Sequence, residues 1–293
     1  MFRGLISLLL LATLSTAPLS TAGEAVFSEK DLLDVQAIPV KNINALEPVI
    51  GAKAALLMDL DTGIVMYEKN PDQQLPMASL TKIMTAVLIL DSHRLDEVVT
   101  IDDDFNSMGE LGVRMWLQKY EKITVESLLT GLLVPSAGDA AMALAKYHSG
   151  SVEAFMEAMN NKARMLNLKN TNFVNPHGID AENHYSSAYD LAILTKYALR
   201  NKDFRRIVRI SGATVTSANG QISHSLEGTN YLLNSYLDIR GVKTGTTDAA
   251  GESLINLAHN TNGKEVIVVL LNSPSRFQES KSIIDWAFRN FLW

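Results

Sequence analysis

Strand-like runs lie at both ends of this chain, with helical patterns between them. Ala52 to Leu60 and Ile64 to Lys69 are apolar or alternating and meet across Asp61-Thr62-Gly63, a hairpin signal in which the glycine supplies positive φ. In the C-terminal third, Gly241 to Gly245, Glu252 to His259 and Glu265 to Asn272 read as successive strands, the last two joined through Asn260-Thr261-Asn262-Gly263. Between them, helical periodicity runs from Ser79 to Asp91–His93, through two runs from Thr124 to Tyr147, over Val152 to Leu166, and over Ser186 to Leu199 with Ser186 or Ser187 as cap. Val98 to Ile101 is a short strand candidate, and Ser275 to Phe291 a closing helix. Strands drawn from both ends form one sheet only if the ends meet. The expected class is therefore α/β of the α+β kind: an antiparallel sheet flanked by helices, with an all-helical subdomain inserted.

With 293 residues, 47% hydrophobic and 20% charged, the chain suits a folded protein of one large domain or two subdomains. Met1, Phe2 and Arg3 precede an apolar stretch from Leu5 to Leu14 and small residues through Ala22, so residues 1–22 read as a secretory signal. The run is too short for a membrane span and is broken by Pro18. The expectation is a periplasmic or otherwise extracytoplasmic protein with no stable membrane anchor after signal removal. Residues 23–47 read as an arm or linker with one short helix around Asp31 to Ala37, and 48–293 as the working domain. Trp286, Phe288, Phe291 and Trp293 suggest core packing, because Asp285, Arg289 and Asn290 on the polar face are not a lysine-rich interfacial stripe. Without cysteine there is no disulfide or thiolate chemistry, and a charge of −6 with scattered Lys and Arg disfavours nucleic acid.

Chemistry concentrates at three places. In Ser79-Leu80-Thr81-Lys82 the serine and lysine are three apart on a helical segment, so they share a face with Cβ atoms roughly 5–6 Å apart. As a helix cap the motif reads poorly: a capping box wants Glu or Gln at the third position, and a cation in the first turn opposes the macrodipole. A serine hydroxyl needs a base, and lysine serves only when partly neutral, a state favoured by desolvation and by a nearby cation such as Lys243. The positive helix end and its N–H groups favour an oxyanion beside Ser79. Ser136 falls on a proline- and glycine-broken turn, Val134 to Asp139, and Lys243-Thr244-Gly245 ends a strand. A Ser-His-Asp triad through His177 is the rival, but no Gly-x-Ser-x-Gly occurs; no His-x-x-x-His suggests zinc. Neither metal nor cofactor is expected.

In kind and order these motifs resemble those of the penicillin-recognising serine enzymes. More closely, the chain resembles low-molecular-mass penicillin-binding proteins of the D-alanyl-D-alanine carboxypeptidase family, also through Asn172-Phe173-Val174-Asn175-Pro176-His177-Gly178, Tyr185-Ser186-Ser187-Ala188 and Gly241-Val242-Lys243-Thr244-Gly245. The resemblance implies a β-lactamase/transpeptidase-like fold over residues 48–293. It also implies a serine-type carboxypeptidase that removes the terminal D-alanine of peptidoglycan stem peptides and takes β-lactams as covalent inhibitors. Ser79 would attack, Lys82 accept its proton and Ser136 relay a proton to the leaving amine. Lys243 and Thr244 would bind the substrate carboxylate beside Gly245, and the N–H groups of Ser79 and Thr246 would form the oxyanion hole. Two positions depart from the family: Gly138 stands where a Ser-x-Asn motif has its amide, and Thr246 where relatives often have histidine. The alternatives are a D,D-endopeptidase, a β-lactamase and a catalytically weak peptidoglycan binder. The β-lactamase lacks its Glu-x-x-Leu-Asn loop between Gly150 and His184, and the binder reading is motivated by Gly138.

Overall fold

The computed structural model describes residues 38–293. The expected signal over 1–22 and the short helix near Asp31 lie outside the described residues, as does most of the arm. Three strands from the chain's end and two from its start build one antiparallel sheet. The early hairpin supplies β2 (Ala54–Asp59) and β3 (Val65–Lys69); the late strands are β8 (Asp238–Thr247), β9 (Gly251–His259) and β10 (Glu265–Ser273). Their order is β3-β2-β10-β9-β8, so the two ends of the chain meet where β2 pairs with β10. Every residue of β2 is buried, as expected for a strand covered on both faces. Ala54, Leu56 and Met58 join one apolar cluster and Ala55 and Leu57 the other, the two-residue alternation of a pleated strand.

The second cluster is closed by the last helix, α7 (Arg276–Asn290), through Ile283, Ile284, Trp286 and Ala287. Asn256 of β9 is wholly buried on the way to this helix, yet satisfied: its amide donates to Ser280 Oγ at 2.8 Å and its oxygen accepts from Asn230 at 2.9 Å. The opposite cluster carries the insertion. It contains α1 (Lys82–Ser92), α2 (Val125–Leu133), α3 (Gly138–Ser149), α4 (Val152–Met165), α5 (Ala188–Ala198) and α6 (Lys202–Ile207). Thr124, Ser151 and Ser187 cap α2, α4 and α5 by accepting from backbone N–H groups three residues on.

Two ribbons join the helices in the insertion, where the sequence pattern indicated only a lone strand at Val98. They are β4 (Val98–Thr100) with β5 (Lys122–Thr124), and β6 (Gly212–Thr216) with β7 (Ser223–Glu227). Their half-exposed strands of small and hydroxylated residues carry little apolar signal. The arm boundary also shifts. β1 (Val40–Lys41) pairs with β11 (Phe291–Leu292), so strand structure begins before Glu47, inside the expected arm. No helix among the described residues is long and apolar enough to cross a membrane.

A buried histidine ties the second ribbon to the loop preceding β5. His224 Nδ1 lies 2.7 Å from the Met115 carbonyl and Nε2 lies 2.8 Å from Glu121 Oε1. Two acceptors require two donors, so the ring is an imidazolium. The Glu121 hydrogen bond raises its pKa above the ordinary value, against the opposing effect of burial. A raised folded-state pKa gives stability that is complete below about pH 6.5 and is lost as pH rises through the folded value. His224→Gln should therefore destabilise by about 1.5–3 kcal/mol at pH 6, with the gap from wild type closing toward pH 9 in urea titrations. A gap independent of pH would contradict the imidazolium assignment.

Candidate active site

Ser79 sits in a 3₁₀ turn, Ala78–Thr81, that runs directly into α1. It caps neither element: Met77 and Thr81 precede them, and neither makes a side-chain capping bond. Ala78 holds φ +48, a left-handed backbone beside the serine. Two glycines grip this turn. A Cβ on Gly245 of β8 would stand 3.1 Å from Ser79 N, and one on Gly178 would stand 2.1 Å from the Ala78 carbonyl. Any side chain at either position would displace the turn or block the serine N–H.

Lys82 begins α1 and is 2% exposed. Its Nζ donates to Ser79 Oγ at 3.1 Å and to the His177 carbonyl. Burial lowers its pKa to about 7, with Asp139 opposing. Of the two causes expected from the sequence, desolvation and a second cation, desolvation is thus the main one. Lys243 is itself fully buried, its pKa held well below the ordinary value by burial first and then by Lys82 and Arg276. Its Nζ donates to the Thr244 carbonyl at 3.0 Å, and the Thr244 hydroxyl shares a hydrogen with Thr229 at 2.5 Å. Lys243 therefore stands behind the cleft wall, while Thr246 is exposed at the rim.

The cation at that rim is Arg276, which the sequence reading passed over. Its Nη1 donates to the Gly245 carbonyl at 2.8 Å and to Thr246 Oγ1 at 2.5 Å. A signal was present: Arg276 opens α7 as Lys82 opens α1, a cation at a helix end that disfavours it. Ser136, between α2 and α3, holds φ +74 and is 7% exposed, and its Oγ is buried without a hydrogen-bond partner. A strained, unsatisfied serine is costly to keep for structure alone.

His177 contributes its carbonyl rather than its ring. Burial and then Lys82 lower the ring pKa to about 3, and Nδ1 accepts from Ile179 N at 3.3 Å. His184 is likewise neutral, its pKa lowered to about 4 chiefly by burial. It accepts from Val174 N at 3.1 Å and meets Thr81 Oγ1 at 2.8 Å, bracing the turn that carries Ser79. Ser79 is thus paired with an amine and not with an imidazole.

At Gly138 the missing amide has a physical cause. An ideal Cβ there would fall 1.9 Å from the Leu111 carbonyl oxygen, and Gly138 N donates to the Val113 carbonyl at 2.7 Å. The neighbouring Asp139 is wholly buried and accepts from Met115 N, Leu117 N and Ala140 N at 3.0, 3.1 and 2.9 Å, fixing that loop in place. Backbone occupies the space an asparagine side chain would use. Gly138→Asn should therefore cost about 2–3 kcal/mol in urea unfolding and slow, rather than improve, acylation by a labelled penicillin. A stable, faster variant would overturn this account.

Comparison with known proteins gives the chain its family. The family model described as D-alanyl-D-alanine carboxypeptidase matches residues 41–275. The D-alanyl-D-alanine carboxypeptidase DacF of Bacillus subtilis is 36% identical over 249 residues, covering 82% of this chain and 63% of the relative. The chain thus spans under two thirds of that relative's length. Among solved structures, the Streptomyces K15 DD-transpeptidase superposes with a TM-score of 0.78 at 32% identity, covering 83% of this chain and 99% of that one. Penicillin binding protein 5 from Haemophilus influenzae gives a TM-score of 0.77 at 34% identity, covering 84% and 73%. With a family model covering most of its length and a shared β-lactamase/transpeptidase-like fold, the chain belongs to the D-alanyl-D-alanine carboxypeptidase family.

Proposed function

We propose that this protein is a serine D-Ala-D-Ala carboxypeptidase that trims peptidoglycan stem peptides outside the cytoplasmic membrane. One observation carries the reading: a buried lysine amine, with its pKa lowered to about 7, hydrogen-bonded to a serine hydroxyl at 3.1 Å. In its neutral form Lys82 takes the Ser79 proton as Oγ bonds to the carbonyl carbon before the terminal D-alanine. The C–N bond then breaks, and Ser136, whose Oγ has no other partner, relays the proton to the leaving amine. The N–H groups of Ser79 and Thr246 face the developing oxyanion beside Gly245, where the absence of a side chain leaves room. Thr244 and Arg276 receive the substrate carboxylate, with Lys243 behind them on the same strand as Thr244, its amine held by the Thr244 carbonyl. Water attacks the ester to release the shortened peptide.

The same geometry supports slow release of β-lactams. Asp139, the carboxylate whose charge acts on Lys82, already accepts three backbone N–H groups, so it is not free to activate a deacylating water. Penicillin should thus remain as a long-lived adduct on Ser79.

Release of D-alanine from a diacetyl-Lys-D-Ala-D-Ala mimic tests the proposal. The second-order rate of acylation should rise with pH with a midpoint near 7, as Lys82 loses its proton. Lys82→Arg, cationic throughout, should lower it by about 10²–10⁴-fold, and Ser79→Ala should leave no penicillin adduct by mass spectrometry. A rate flat from pH 5.5 to 8.5 would refute Lys82 as the base. Parallel assay of a crosslinked dimer separates this activity from endopeptidase cleavage.

A further inference from the structure

Asp139 fixes more than the wall of the cleft. Trp116 lies between the two N–H groups that Asp139 captures, those of Met115 and Leu117, yet the residue is 63% exposed. Four positions on, Tyr120 is 72% exposed. Both take left-handed backbone, with φ of +66 and +68, a conformation that glycine adopts freely and bulky residues do not. Nor is the segment loose. Tyr120 N donates to the Ile101 carbonyl at 2.6 Å, Asn106 holds the Leu117 carbonyl at 2.9 Å, and Gln118 N donates to Glu121, the carboxylate paired with His224. Two large rings are held rigidly in solvent, on strained backbone, with no core packing in return. That combination is characteristic of a recognition surface.

The chemistry around the rings narrows the ligand. An open groove of about 600 Å³ beside Tyr120 is lined by the Asn219 and Gln221 amides, the Ser217 hydroxyl, Lys119, Lys122 and the Glu121 carboxylate, with apolar Ala218 and Ile222 between them. Arg114 lies 5.9 Å from the Trp116 ring centroid and Lys119 5.1 Å from that of Tyr120, so a cationic ligand is repelled. A polyhydroxylated ligand with flat C–H faces and acetamido groups fits both the rings and the amides. Location points the same way. Asp139, whose charge acts on Lys82, holds the N–H groups on either side of Trp116, and a stem peptide seated at Ser79 reaches at most about 17 Å to its sugar chain, five residues at ~3.4 Å each.

We propose that Trp116 and Tyr120 form a subsite for the β-linked N-acetylhexosamine strand that carries the stem peptide. This rests on the carboxypeptidase reading for its substrate, but it is separable by experiment. Chitotetraose titrated into Ser79→Ala protein should shift the indole fluorescence of Trp116, with Trp116→Phe identifying the signal, and Tyr120→Gly should weaken binding about 5–10-fold. Because glycine suits φ +68, Tyr120→Gly should hold or raise the thermal midpoint. In active protein, Trp116→Gly/Tyr120→Gly should raise KM at least 10-fold for a glycan-linked pentapeptide and less than 2-fold for the peptide alone. Equal effects on both substrates, unchanged chitotetraose binding, or a lowered thermal midpoint would overturn the subsite. So would tighter binding of a single-stranded oligonucleotide. If neither substrate releases D-alanine, the catalytic reading fails, and the titration of Ser79→Ala still decides this one.

Discussion

Burial of the Lys82 amine is the constraint around which the site is organised. An ammonium removed from water is expensive, and here it has only a serine oxygen, a main-chain carbonyl and the distant field of Asp139 to compensate. The fold meets that cost by holding the neighbours still. The His177 carbonyl that receives Lys82 belongs to a loop locked by Thr85 on the Pro176 carbonyl at 2.7 Å and by Asn175 on Gly178 N at 2.6 Å. A rigid acceptor on one side and a serine on the other leave the amine near neutrality with a single productive direction.

The large sheet makes this possible by setting two distant parts of the chain against each other. β8 brings Lys243, Thr244 and Gly245 along the edge of the sheet to the start of α1, while the pairing of β2 with β10 fixes the frame between them. The clusters on the two faces share β2, β9 and β10, so shifting one strand by a residue would exchange the faces of both. Register in the core therefore sets distance in the cleft.

Much of this was legible in the sequence because it depended on periodicity and punctuation. The hairpin at Gly63, the strands from Gly241 to Asn272 and the break at Pro135 follow from alternation and turn residues, which act locally. What stayed hidden depended on contacts between remote segments. Nothing near Gly138 in sequence announces that the Leu111 carbonyl will fill its side-chain space, and the pairing of Val40 with Leu292 joins strands of two residues each, too short to carry a pattern. Burial proved the stronger influence on Lys82 than the neighbouring cation, a balance set by tertiary packing and not by spacing. Arg276 was missed although its position against the helix dipole marked it as unusual.

The close approach of Gly178 and Gly245 to the turn bearing Ser79 limits how such a site can diversify. Main chain on both flanks leaves the Ser79 turn no slack, so neither flank can widen by side-chain exchange without moving the Ser79 hydroxyl. New substrate preference must instead be drawn from segments that touch the cleft without gripping the turn: the Leu111–Leu117 strap and the Thr246–Arg276 lip. Inheritance at the centre and experiment at the margins are thus separated by two missing methyl groups.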